Sequence, residues 1–213
     1  RLIWGTRLAL YVAVLAATGA AVLGTLIGLV AGYMGGWTDW IVGRLVDTWM
    51  SFPPVILALI LLVGLGAGID KVILAIIVVD WTRFARVIRS EVLVIRRRDY
   101  VAAARLAGFS HFAVMVKEIL PGVMPLLITL VSLEMGIAVI VEATMSFVGL
   151  SVEADKVAWG VMISDARQLM YQTPLAVILP IGGIFVTVLG FNLLGDGLRR
   201  TLDPRVRGRG VPA

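Results

Sequence analysis

Cysteine is absent from all 213 residues, which excludes disulfides, thiol nucleophiles and thiolate metal sites. Charge is scarce: Asp, Glu, Lys and Arg make up 15% of the chain, against about 25% in a soluble domain. Histidine occurs once, at His111, so no histidine cluster is available for a metal. A Ser-His-Asp or paired-carboxylate site has no support either. No Gly-x4-Gly-Lys-Ser/Thr stretch exists, so the chain has no phosphate-cradling loop and is expected to bind no ATP itself. What is plentiful is apolar: 60% of residues are hydrophobic and mean hydropathy is +0.98. Long apolar runs of this kind are membrane helices, and the fold class is an all-α polytopic membrane protein. The net charge of +5 does not point to nucleic acid, because the arginines cluster between apolar runs, as topology signals do. The first residue is Arg1, not Met, and no signal peptide precedes it. A trimmed chain lacking an N-terminal piece is the expectation.

Five spans are expected, at about 8–34, 48–69, 70–89, 123–147 and 174–194. Each approaches the roughly 20 residues a bilayer requires. Leu8–Met34 carries Gly24, Gly28 and Gly32, two overlapping small-xxx-small steps that let a second helix approach closely; ordinary membrane-helix glycine content is the alternative. Gly35, Gly36, Asp39 and Arg44 read as a turn. Pro53 and Pro54 interrupt the second run, where tandem proline kinks or restarts a helix. Freed carbonyls at membrane depth face protein or a watery path, so the pair is either a packing kink or a pathway marker. Val72–Val79 is too short to cross alone; the third span is extended through Trp81 and Phe84 as an interfacial aromatic belt. Glu134 and Glu142 are costly in hydrocarbon and are expected to face the bundle interior, a partner helix or water, either hydrogen-bonded to a neighbouring Ser or Thr or in contact with substrate; Asp80 is a further candidate for the pathway or a subunit contact. Residues 149–173 read as a polar extracytoplasmic loop.

The stretch 99–121, DYVAAARLAGFSHFAVMVKEILP, lies between apolar runs yet holds Asp99, Arg105, His111, Lys117 and Glu118. It reads as helix, glycine, helix. Asp99 is expected to cap the first helix and Gly108 to end it in a left-handed conformation. Ser110 is expected to cap the second helix. Phe112, Met115, Val116 and Ile119 fall at i, i+3, i+4 and i+7 as one apolar face, and Pro121 closes it. The arginines at 83–98 and the basic tail at 199–209 put this loop and the C-terminus in the cytoplasm. With five spans the chain then starts outside, which suggests six spans in a full chain.

Ala103, Ala104, Gly108, Ile119, Leu120 and Pro121 resemble, in order and spacing, the EAA loop of ABC importer permeases. Ala102 departs from the pattern, standing where that family has Glu. The tail 191–198, FNLLGDGL, followed by Leu202-Asp203-Pro204-Arg205, resembles the C-type permease of the dipeptide, oligopeptide and nickel branch. Arg44-x-x-Asp47 with Phe52-Pro53, the run from Glu142 to Leu150, and Trp159-Gly160 are similar to further elements of that branch. The branch's proline-rich element is missing at Ser151–Val157.

The resemblance implies half of a translocation pathway in the bacterial inner membrane, most simply for di- or oligopeptides, with nickel, opines or other small solutes as alternatives. It implies a homologous B-type permease, two ATP-binding subunits that hold the ATP and Mg, and an extracytoplasmic substrate-binding protein. It also implies that loop 99–121 docks on an ATP-binding subunit and that this chain is not an enzyme. An ion-coupled secondary transporter using Asp80, Glu134 and Glu142 as a relay, and a membrane scaffold, are the competing classes; an internal inverted repeat, the mark of the former, is not evident.

Overall fold

A computed structural model describes residues 1–151 and 157–202. All regular structure among them is helical: α1 (Leu2–Met34), α2 (Gly36–Trp49), α3 (Pro54–Leu65), α4 (Ile69–Ile95), α5 (Asp99–Leu106), α6 (His111–Val114), α7 (Leu120–Val148), α8 (Trp159–Ala166) and α9 (Leu175–Leu202). Three stretches are long and apolar enough to cross a bilayer: Leu2–Met34, His111–Val148 and Leu175–Thr201. The pair α2 and α3, bent by 84°, passes the same test as one broken span. The expected Asp155 loop segment and the Asp203-Pro204-Arg205 tail lie outside the described residues.

Two compact units divide the chain. The first contains Arg1–Ala20, Phe52–Asp80 and Ser132–Leu193. Its core joins Val12, Ala16, Leu62, Ile76, Val139 and Met145. Gly160 allows α8 to lie against one turn of α7, since a Cβ there would meet Ala143 O and sit 2.7 Å from Phe147 N. Trp159 anchors the same corner and donates from Nε1 to Leu2 O at 3.2 Å. Residues 149–173, read from sequence as polar loop, therefore carry a short packed helix. Glu142 is buried and accepts hydrogen bonds from Ser146 and, at 3.1 Å, from Ser151. The carboxylate thus ties the turn after α7 back onto that helix. Only 6% of the most apolar window of α9 is buried, leaving Ile178, Ile181, Phe185 and Val186 facing outward.

The second unit contains Ala21–Ser51, Trp81–Val131 and the chain from Leu194 on. Here the glycine steps of α1 meet α4. A Cβ on Gly28 would lie 2.6 Å from Ala85 O, and one on Gly32 would lie 2.9 Å from Arg89 O. One on Gly24 would collide with Trp81 O and Phe84 Cβ. The glycines are thus a close helix contact, not incidental content. Trp81 and Phe84 are 7% and 1% exposed; they fill this contact and are not the expected interfacial belt. Apolar sequence pattern does not distinguish a lipid-facing aromatic from one that fills the space opposite glycine.

The expected turn at 35–44 contracts to Gly35 and Gly36, whose φ values are +69° and +56°. Helix α2 then begins, because Asp39, Gly43 and Asp47 fall on one stripe while Trp37, Ile41 and Leu45 fall on another, exposed one. Pro54 starts α3 as its first residue, where a missing N–H costs nothing, so the tandem proline restarts the helix.

Candidate functional site

The segment 99–121 is built almost entirely from local rules. Asp99 is the first residue of α5; the cap is Arg98, in extended conformation, with no side-chain capping bond. That corrects Asp99 as a cap, one residue off; its carboxylate still sits at the positive end of the helix. The helix ends in a Schellman motif. Phe109 N donates to Ala104 O at 3.2 Å, and Gly108 N donates to Arg105 O at 3.0 Å. Gly108 takes φ +85°, and a Cβ there would meet nothing within 4 Å, so glycine is required by backbone angle alone. Ser110 accepts from Ala113 N at 3.2 Å, which caps α6.

Pro121 does not close the second helix. A π segment at Met115–Ile119 leads directly into α7, and Leu120 N donates five residues back to Met115 O. Proline cannot donate and its ring crowds the carbonyl four residues back; the wider turn just before it lets the helix continue. The extra residue also moves the buried face. Val114, Ile119 and Val123 are each fully buried, spaced five and then four, while Phe112 is 72% exposed. The expected Phe112–Met115–Val116–Ile119 face assumed an uninterrupted α-helix.

The result is a helix–turn–helix with an anchored side and an open side. Val101, Ala104, Val114 and Ile119 join the second unit's core. Ala102, Ala103, Gly108 and Pro121 are exposed, as are Leu106 (90%), Phe109 and Phe112. Leu120 is half-buried. Tyr33, at the end of α1, fastens the anchored side. It is 3% exposed, and its hydroxyl lies 2.9 Å from His111 Nδ1. Arg105 Nε donates to the same hydroxyl at 3.3 Å, and the Arg105 guanidinium stands 5.0 Å over the Tyr33 ring, a cation–π contact. Arg96 donates from Nη1 to Gly32 O at 2.9 Å and Tyr33 O at 3.3 Å, satisfying carbonyls that the end of α1 leaves open.

A second polar feature lies on α2 and α4. A cavity of about 460 Å³ is lined by Asp39, Trp40, Arg44, Asp47, Arg86 and Arg89, among others. Arg89 binds Asp39 through Nε and, at 2.8 Å, through Nη2, and Arg86 Nη2 is 2.5 Å from Asp47 Oδ1.

Residues 24–208 match the model of a family described as the binding-protein-dependent transport system inner membrane component. The chain belongs to this family. It is 37% identical to the dipeptide transport system permease protein DppC of Alkalihalophilus pseudofirmus, over 97% of this chain and 68% of that protein. It is 36% identical to the glutathione transport system permease protein GsiD of Pectobacterium atrosepticum, over 97% and 69%. It is 42% identical to the nickel transport system permease protein NikC of Escherichia coli K12, over 86% and 66%. These relatives match the C-type branch of the permease family. A structure of the inward facing MetNI methionine ABC transporter superposes with TM-score 0.80 at 18% identity, covering 95% of this chain and 96% of that one. That likeness shows a shared fold.

Asp80, Glu134 and Glu142 are all buried, and Glu142 is held by the two serines of its own chain. Pro53 and Pro54 mark the break between α2 and α3. Sequence reading missed Tyr33 as the shared partner of His111 and Arg105. The available signal was Tyr33 at the last turn of the glycine-stepped helix, beside Gly35-Gly36. Tyr33→Phe keeps the ring under Arg105 and removes the hydroxyl shared by His111 and Arg105. It is expected to speed proteolytic cleavage within 99–121 in membranes several-fold, with permease abundance unchanged; an unaltered digestion pattern would show that the hydroxyl does not hold the loop.

Proposed function

We propose that this permease forms half of the translocation pathway of an ATP-driven peptide importer, paired with a homologous B-type permease. Two ATP-binding subunits hold ATP and Mg, an extracytoplasmic binding protein delivers substrate, and this chain catalyses nothing itself. Five spans cross the inner membrane: α1, α2 with α3, α7 and α9, which are apolar enough to do so, and α4, whose charged residues from Asp80 to Arg89 keep it outside that apolar set. Loop 99–121 and the C-terminus face the cytoplasm, and residues 149–173 face outside. The observation that carries this reading is the loop itself. Its inner side is locked into the core, while its outer side displays Leu106, Phe109 and Phe112 beside the bare Ala102–Ala103 surface. Exposed apolar groups on a rigid frame mark a docking site, here for an ATP-binding subunit. The outward apolar face of α9 suits lipid or the second permease.

Peptide is favoured as cargo because DppC and GsiD, both matched along nearly the whole chain, are named for dipeptide and glutathione transport. The nickel reading has NikC in its favour. Among the described residues, however, no group of three or more His, Cys, Asp or Glu could hold a metal ion. The test is uptake by the full complex in proteoliposomes. Uptake of alanyl-alanine should require both internal ATP and the binding protein. Uptake of Ni²⁺ in its place would move the permease to the second reading, and uptake independent of ATP would remove it from the importers.

A further inference from the structure

The cavity on α2 and α4 is lined by none of the residues of loop 99–121, and it concentrates charge in a chain with little charge to spare. Exposed charge on a membrane protein faces water or protein, not hydrocarbon. Asp47 and Arg86 have side chains 59% and 46% exposed, and Arg44 is exposed. The stripe of α2 that bears Asp39 and Asp47 therefore faces water or protein and not lipid. The opposite stripe of α2, with Trp37, Ile41 and Leu45, is apolar.

We propose that this cavity is a station on the translocation pathway that holds the carboxylate of the passing solute, with Arg44 as its anchor. The inference rests on the importer reading above and deepens it. Three guanidinium groups face two carboxylates in the cavity lining, an excess of one positive charge. Both carboxylates are already engaged, Asp39 by Arg89 and Asp47 by Arg86. That leaves the cavity short of ligands for a cation. Arg44 belongs to neither pair, and a guanidinium matches a carboxylate with two parallel hydrogen bonds. The volume of about 460 Å³ lies in the range of small-molecule pockets, roughly 300–1,000 Å³, and suits a dipeptide-sized solute. Trp40 gives the cavity an apolar wall for a side chain.

The paired arginines set the strength of the site as well as its sign. Each is partly neutralised by its aspartate, so the cavity offers one strong contact and a weakly positive field. A station on a pathway must release what it binds, and three unpaired arginines would retain an anion.

The test uses the complete importer in proteoliposomes, with labelled alanyl-alanine and alanyl-alanine amide as probes. Arg44→Gln is expected to lower alanyl-alanine uptake about tenfold, the scale of one lost charge-assisted hydrogen bond, and to leave uptake of the amide at the parental rate. Arg44→Lys, which keeps the charge, should recover most of the loss. Both variants should be purified as the intact complex in parental yield. An equal fall for both peptides, or no fall for alanyl-alanine, would overturn the site while leaving the importer reading intact. A parent complex that carries Ni²⁺ and neither peptide would remove the peptide reading, and the carboxylate site with it.

Discussion

Gly108→Val is expected to abolish substrate uptake while leaving the permease in the membrane at near-normal abundance. Gly108 sits at φ +85° between the two hydrogen bonds that close α5. A residue with a Cβ in the left-handed region costs about 1–2 kcal/mol, and a β-branched one is the least tolerated there. The space around the position is open, so no steric clash contributes and the whole effect comes from the backbone angle. The chain relieves that strain by opening the turn. Opening it moves α6 and the exposed Phe109 and Phe112 relative to Ala102 and Ala103, which disrupts the docking surface proposed above. Insertion does not depend on the turn. Gly108→Asn is the discriminating control, because asparagine visits left-handed angles at low cost, and it should keep most of the uptake. Parental uptake by the valine variant would show that the loop geometry is not used in coupling. Equal loss in both variants would point to a contact in place of a backbone angle.

Gly28→Ala carries the second largest expected effect, and here the permease itself should fail. A single methyl group at Gly28 would stand 2.6 Å from Ala85 O and 3.1 Å from Arg89 N. Those are backbone atoms of α4, so no side-chain rotation can accommodate it and the two helices must separate locally. Overpacking costs about 1–3 kcal/mol where side chains can adjust; with backbone opposite, the upper end applies. In a chain of this size that corresponds to a fall in Tm of roughly 6–12 °C, readable by thermal unfolding in detergent. Gly190→Ala adds the same methyl group to α9, where nothing lies within 4 Å. Alanine favours helix over glycine by about 1 kcal/mol, so that variant should be neutral or slightly more stable. If the two substitutions behave alike, the glycine steps of α1 are not a close contact.

These two glycines show where sequence was legible. Gly108 and Ser110 act through rules that span four or five residues, and both take the conformations their types predict. The spacing of Gly24, Gly28 and Gly32 announced a close approach but not the partner, because nothing local in α4 marks Trp81, Phe84 and Ala85 as the surface opposite. Phe112 and Pro121 were misread for one reason: a π turn inserts a residue and rotates everything after it, and apolar periodicity assumes no insertion. In α2, Asp39 and Arg44, expected in a turn, are helical, and Asp39 is neutralised by Arg89, 50 residues along the chain. Long-range ion pairing of that kind leaves no local trace. The hydroxyl of Tyr33 is the same case, tied to His111 and Arg105 through contacts that only the fold creates.

The most direct test of the central claim uses the natural absence of cysteine. Phe112→Cys places a single thiol on the exposed side of loop 99–121. In inside-out vesicles lacking the ATP-binding subunits, that thiol should react with a membrane-impermeant maleimide, and it should be unreactive in right-side-out vesicles. Adding the purified ATP-binding subunits should protect it, and a short bifunctional reagent should join it to one of them. Reaction from the outer face, or unchanged reactivity when the ATP-binding subunits are bound, would contradict the assignment of this loop as the surface through which ATP hydrolysis reaches the permease.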